Sequence, residues 1–439
     1  MTETAPPSGA TLLLAQTLDF PTPSDCRHRP AAALVLLNGR IHWHGDRADL
    51  PWPLASFDTV YDYGQAWIVP GFIDTHVHAA QMPVMASWGE QLLDWLERYT
   101  FPAERRFEDP SVARAASGAF LDSLLAHGTT TALVFGTVHE DATHALFEAA
   151  QTRGMAMIAG KVLMDRHCPD FLRDTADSGF EASARLIEHW HGRDRLRYAV
   201  TPRFAPTSTE AQLARAGELM TLAEGLYSQT HVSENPAEVA WVQSLFPDAR
   251  DYVDVYERYG LLNDHAVLAH GLHLTEREWQ SLAAHKARLA VCPTSNTFLG
   301  SGLFDFQRAE AAGVVLSLAT DVGGGTSLSQ LVSAAEAYKV AQLKGTQLTA
   351  GWLLHQITQG NAQALHLGDE IGTLDVGKYA DLVVLDPTAS RNLAARLDGV
   401  ESLEEQLFAT VILGDERLTH TTWVAGERRY CNAVATSIS

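Results

Sequence analysis

Eight apolar runs, at 68–78, 129–138, 156–165, 196–206, 225–234, 266–274, 288–296 and 314–323, punctuate the middle of this 439-residue chain. Stretches of helical character lie between them, among them Ala211 to Ala223, Ala237 to Phe246 and Glu276 to Ala284. A strand covered on both faces reads as a short continuous apolar run, and parallel neighbours need a crossover, usually a helix. Eight β-then-α units in sequence therefore predict an α/β chain with a (β/α)8 TIM-like barrel over residues 69–370. In such a barrel the reactive groups sit at the C-terminal ends of the strands. The ends of the runs are thus where chemistry is expected.

The flanks read differently. Ala33-Leu34-Val35-Leu36-Leu37, then Asn38-Gly39, then Arg40-Ile41-His42-Trp43 has the pattern of a β-hairpin. Near the other end, Ala380 to Asp386 reads as a buried strand, and Thr421 to Arg428 as a strand and turn. Residues 1–68 and 371–439 are therefore expected to build one small β-sandwich domain beside the barrel. Residues 1–30, rich in Pro and Thr, are expected to be partly disordered or to pair with the tail.

Charge narrows the class of partner. With 53 acidic and 32 basic residues the net charge is −21, and such a surface repels nucleic acid and anionic membrane. A small, largely neutral substrate fits better. Cys26, Cys168, Cys292 and Cys431 are scattered, which points to a reduced compartment rather than a disulfide framework. Met1 to Pro7 lacks the basic and apolar regions of a signal peptide, and no apolar run reaches the roughly 18 residues that span a bilayer. A cytoplasmic protein is expected.

The run ends carry ligand-type residues. His76 and His78 close the first run, and their i, i+2 spacing puts both imidazoles on one face of a strand. His231 and Glu234 close the fifth run, His270 the sixth, and Asp321 the eighth. A lone strand-end histidine is usually structural. Here His76, His78, His231 and Asp321 together form a three-His, one-carboxylate set suited to zinc, with an open position for water. The alternative zinc design, with H-x-E and P-C-x-x-C, is absent, so the ligands must be nitrogen and oxygen. His42 and His44 repeat the H-x-H spacing but lie in the N-terminal β region, and are read as structural. His273 is assigned to a loop. Gly323-Gly324-Gly325 lacks the phosphate-loop pattern and is expected to let backbone pass close to Asp321.

These residues resemble the amidohydrolase superfamily, whose closing β segment is similar to Gly372 to Asp386. Within it the resemblance narrows to the guanine deaminase family. It rests on Ala86 to Leu96 with Tyr99 to Glu104, on Thr201-Pro202-Arg203-Phe204 and His231-Val232-Ser233-Glu234, and on Cys292 to Asn296 with Thr320 to Gly325. The resemblance implies zinc-dependent hydrolytic deamination of guanine to xanthine and ammonia by a homodimer. The fourth run lacks the lysine that two-metal members carboxylate, so one zinc per subunit is expected.

By position, the resemblance implies that Glu234 shuttles protons, Asp321 accepts the water's proton and His270 orients the nucleophile. It makes Gln81, Arg203 and Phe204 purine contacts, alongside His78, His231, Glu234 and Asp321. Trp88 and Trp95 either wall the pocket or pack a helix at i and i+7. The rivals are a same-fold deaminase of another amino-heterocycle, a triazine or a pterin, and a metal-free binding protein. The second should lack a ligand or the acid/base, and none is missing.

Overall fold

Asn38 and Gly39 adopt positive φ angles of 50° and 78°, the twist that a two-residue hairpin needs. The computed structural model, which describes residues 6–88 and 91–432, places this turn between two of sixteen strands among those residues. Met1 to Ala5 of the leader reading, and Gly89 and Glu90 of the family-specific stretch, lie outside the described residues.

In chain order the first strands are β1 (Thr11–Thr22), β2 (Asp25–Leu37), β3 (Arg40–Asp46) and β4 (Thr59–Pro70). The barrel strands follow as β5 (Phe72–His78), β6 (Thr129–Phe135), β7 (Ala156–Gly160), the two-residue β8 (Val162–Leu163), β9 (Leu196–Pro202), β10 (Tyr227–Val232), β11 (Ala266–His270), β12 (Arg288–Val291) and β13 (Val315–Leu318). The chain closes with β14 (Leu382–Leu385), β15 (Thr419–Val424) and β16 (Glu427–Cys431).

Each of the eight apolar runs contains a barrel strand. They pair in parallel in the order β5-β6-β7-β9-β10-β11-β12-β13, with β8 on β9. Period-two alternation sorts their side chains. Ile73, Leu133, Ile158, Val267, Ala290 and Ala319 share one inner cluster, while Val134, Met157, Tyr198, Leu268 and Leu289 face the surrounding helices. The expected helices are present at Glu210–Leu219, Pro236–Leu245 and Glu276–Ala284.

The seam between β13 and β5 is closed by specific bonds. Asp321 N donates to His76 O at 2.9 Å, and His78 N donates to Val322 O at 2.8 Å. Below them Asn361 donates through Nδ2 to Ile73 O and Leu318 O, each at 2.7 Å, and accepts from Leu318 N at 2.9 Å.

The termini build one mixed sheet in the order β16-β15-β14-β4-β1-β2-β3. Its β1 lies between β2 and β4, and the tail strand β14 pairs with β4 instead. Residues 11–22 and 25–30 therefore lie in the sheet, and their strand pairing is with one another and with β4 rather than with the tail, which Arg27 reaches through an ion pair to Asp375 at 3.0 Å. The buried run Leu12-Leu13-Leu14 decides this. The tail also carries helices Arg391–Leu397 and Leu403–Leu413, which its β-like ends did not announce. Phe408 of the second packs edge-on against Tyr338 of the barrel helix Gln330–Leu343, with centroids 4.9 Å apart. No helix among the described residues is long and apolar enough to cross a membrane.

Candidate active site

Strand alternation aims His76 and His78 into the barrel mouth while Val77 between them is fully buried in the outer core. Asp74, two residues earlier, accepts from Thr320 N at 3.1 Å and from His76 N at 3.3 Å, and so ties the end of β5 to the segment after β13. Asp321 follows directly, with φ of 50°, and His270 ends β11 with φ of 76°. Left-handed backbone at a non-glycine residue costs about 1–2 kcal/mol, and here it turns both side chains into the mouth. The glycines after Asp321 are needed by the tight return. A Cβ on Gly325 would sit 1.7 Å from Thr320 O, and one on Gly324 would sit 2.6 Å from Ser295 Oγ.

His76, His78, His231 and Asp321 each offer a ligand atom, and the four atoms lie within 4.8 Å of one another. Asp321 Oδ1 is 3.2 Å from Nε2 of both His76 and His78. His231 Nε2 is 3.4 Å from His78 Nε2. His231 donates through Nδ1 to Arg203 O at 2.6 Å, which leaves its Nε2 lone pair facing the cluster. His76 Nε2 is buried and, apart from the Asp321 carboxylate 3.2 Å away, has no hydrogen-bond partner among the described residues.

The protonation states agree with a cation site. Burial first, then the neighbouring imidazoles, push His231 well below its ordinary value, and His76 falls to about 4 mainly through burial. Burial opposes ionisation of Asp321, but the imidazoles of His76 and His78 hold its carboxyl well below the usual carboxylate range. Neutral His76 and His231 beside the ionised Asp321 carboxylate, with His76 Nε2 facing that carboxylate and no other partner among the described residues, fit a divalent metal ion. Cys292 forms an overlapping group with His76, His270 and Asp321. Burial pushes its thiol well above the ordinary value, which leaves the nitrogen and oxygen donors as the better set.

A cavity opens onto this cluster. His78, His231 and Asp321 form its floor, with Glu234 and His270 beside them. Gln81 and Arg203 line one polar stretch of wall, and Phe204, Leu96, Trp95 and Leu299 supply flat or apolar surface. A flat heterocycle with polar edges matches such a lining.

The amidohydrolase family model matches residues 67–429, a span that takes in the barrel, the ligand cluster and the tail sheet. The chain belongs to the amidohydrolase family. It is 45% identical over 424 residues to the guanine deaminase of Escherichia coli, covering 96% of this chain and 97% of that one. A probable guanine deaminase of Deinococcus radiodurans is 43% identical, with 84% of each chain covered. The solved structure of a guanine deaminase from C. acetobutylicum with bound guanine matches at a TM-score of 0.88 and 26% identity, covering 96% of this chain and 100% of that one. The guanine deaminases are the branch of the family to which this amidohydrolase belongs.

The amidohydrolase holds Glu234 and His270 as a pair, with His270 Nε2 3.3 Å from Glu234 Oε2 and 3.8 Å from Asp321 Oδ2. Burial, opposed by His270 and helped by Glu238 and Asp321, pushes the Glu234 carboxyl up to about 7. Burial lowers His270, but the carboxylates of Glu234 and Asp321 outweigh it and leave the imidazole above its ordinary value. Glu234 is held from both sides. Its backbone N–H donates to Glu238 in the capping box of helix Pro236–Leu245, and its Oε1 accepts from Ser301 Oγ at 3.2 Å.

Several supporting residues are not recognisable in the sequence. Asn296 accepts from His270 Nδ1 at 2.9 Å and so fixes the ring. Phe135 packs its ring 4.7 to 4.9 Å from those of His76, His78 and His231. Glu104, buried behind the cavity wall, bonds to both Gln81 and Arg203. Residue type alone marks none of them, because each acts through a partner remote in the chain.

Trp95 lines the cavity, one of its two readings. Trp88 does not: it is 78% exposed, and the helix that would have given it i, i+7 spacing starts only at Leu92. His44 bonds to Thr17 and Leu374 O within the terminal sheet, and His273 bonds to Ser301 O in a loop, in agreement with their structural readings. Asp264, His265 and His366 form a further group of ligand type outside the cavity.

Proposed function

We propose that this chain catalyses the hydrolytic deamination of guanine to xanthine and ammonia, working as a mononuclear zinc enzyme. The observation that carries the reading is one cavity in which a three-His, one-carboxylate cluster, a carboxyl poised near neutrality and a wall of N–H donors converge. The same activity is that of its relatives by name. His76, His78, His231 and Asp321 would hold the ion, which supplies Lewis-acid activation of a water at neutral pH.

The remaining roles are those that the family resemblance implies, and the geometry of the chain supports them. Water adds its oxygen to C2 of the purine, the C2–N bond breaks, and the amino group leaves as ammonia. Asp321 takes a proton from the water. His270, fixed by Asn296 and in contact with both Asp321 and Glu234, aligns the attacking oxygen. Glu234 gives a proton to the ring nitrogen next to C2, takes up the second proton of the added water and passes it to the departing amine, and the proton held by Asp321 then returns to Glu234. A group with a pKa near the working pH can donate and accept in turn. Gln81 and Arg203 donate to the purine carbonyl oxygen, and Phe204 lies against the ring face.

We take residues 1–68 with 371–439 as one unit, residues 69–370 as the catalytic unit, and the assembly as a cytoplasmic homodimer. Light scattering of the purified chain tests the assembly. Ammonia release from guanine, adenine, cytosine and an aminotriazine, run on metal-replete protein, tests the substrate. Turnover of guanine above the others is expected. An inert guanine beside an active second ring would overturn the reading.

A further inference from the structure

Glu104 is 1% exposed and makes no part of the cavity surface, yet it grips both polar residues of the wall. Arg203 donates through Nη1 to Glu104 Oε1 and Oε2, each at 2.9 Å. Gln81 donates through Nε2 to Glu104 Oε1 at 3.1 Å. Gln81 Oε1 in turn accepts from Gly323 N at 3.3 Å. A carboxylate can only accept and a peptide N–H can only donate, so these two contacts leave the Gln81 amide a single orientation.

The Arg203 side chain is 3% exposed, and Glu104 is its carboxylate partner among the described residues. With Nη1 committed to Glu104, Nε and Nη2 of Arg203 have no other protein hydrogen bond among the described residues. The second hydrogen of Gln81 Nε2 is likewise uncommitted. The wall thus presents N–H groups of fixed direction, backed by a carboxylate that cancels the guanidinium charge. A neutral ring with a carbonyl oxygen satisfies it, whereas a ring without that oxygen leaves buried donors unpaired.

We propose that Glu104 is a positioning residue that determines specificity, holding Gln81 and Arg203 as a fixed donor pair for the carbonyl oxygen of an oxo-purine. The proposal rests on the guanine reading above. It places selectivity for the oxygen on a residue that never touches the substrate. Arg203 and Gln81 act directly, and Glu104 acts through them.

The test compares guanine with 2-aminopurine, which keeps the amino group and lacks the carbonyl oxygen. For wild type and Glu104→Gln, KM and kcat are measured for guanine, and KM or the competitive inhibition constant for 2-aminopurine. The expected result is a rise in guanine KM of about 10-fold or more, the scale of a weakened charged hydrogen bond, with kcat changing less and 2-aminopurine changing under about threefold. Metal content should match wild type. Parallel losses for both ligands would make Glu104 a merely structural residue, and an unchanged guanine KM would remove it altogether.

Glu104→Asp keeps the charge but is one methylene too short to reach both partners, and the same selective loss is expected from it. It stands in if the Gln variant does not fold. Failure of both variants to fold assigns Glu104 to stability alone and overturns the proposal. Wild type that releases no ammonia from guanine sinks the functional reading itself, a result distinct from an active wild type with unchanged selectivity.

Discussion

Two buried carboxyls with raised pKa values, Glu234 and Asp19, have opposite uses. Glu234 faces the cavity, and its proton is what the reaction moves. Glu234→Gln keeps shape and burial but cannot cycle a proton. Turnover of guanine should fall by about 10²-fold or more while metal content stays at the wild-type level, read by elemental analysis beside an ammonia assay. Near-normal turnover would take Glu234 out of the mechanism. Asp19 lies in β1, remote from the cavity, with Arg27 Nη1 at 3.7 Å. Burial first, then Asp375, raises it to about 6. The folded state therefore binds this proton more tightly than the unfolded chain does. The corresponding stability is present below about pH 4 and is lost as pH rises through about 6. Asp19→Asn should remove that dependence, so its stability relative to wild type should rise between pH 4 and 7 by about 1–3 kcal/mol. Denaturant melts at several pH values check it, and a variant that tracks wild type at every pH would contradict it.

Among the elements, the β13–β5 seam matters most, because His76, His78 and Asp321 all stand on it. Asn361 holds the seam with three bonds at 2.7 to 2.9 Å to Ile73 O, Leu318 O and Leu318 N. Asn361→Ala would leave buried peptide groups unpaired, at an expected cost of about 2–4 kcal/mol. Metal affinity should fall with it, since the ligands flank the seam. Thermal melts with and without added zinc measure both, and an unchanged melting temperature would show the seam to be held elsewhere. The eight strands were legible as apolar runs because each is covered on both faces, and a buried strand cannot hide that composition. Their C-terminal ends were legible as a site for the same reason. The tail helices and Trp88 were not, since each depends on where neighbouring segments begin and end. Glu104 and Asn296 fall inside the family-like stretches, but their roles rest on contacts to Arg203 and His270, far along the chain.

At the scale of the whole molecule, the barrel and the terminal sheet are joined by a buried pair. Arg195, just before β9, donates to both carboxylate oxygens of Asp381, just before β14, and Asp381 also accepts from Ala425 N at 2.8 Å. The two side chains are 10% and 2% exposed. Asp381→Ala strands a guanidinium in the interface, and a loss of about 3–5 kcal/mol is expected, read as a lowered melting temperature. A loss below about 1 kcal/mol, the scale of an exposed pair, would contradict a buried joint. The sequence alone determined the kinds of donor, the period-two spacing of His76 and His78, and the strand ends at which His231, His270 and Asp321 fall. Those are local properties: residue type and alternation need no partner to be read. Convergence of the four ligand atoms within 4.8 Å was decided by the tertiary structure, through closure of the seam and the left-handed turns at His270 and Asp321. So was the wall built by Glu104, Gln81 and Arg203. Both need backbone from distant parts of the chain at fixed angles, and no stretch of sequence specifies such angles by itself.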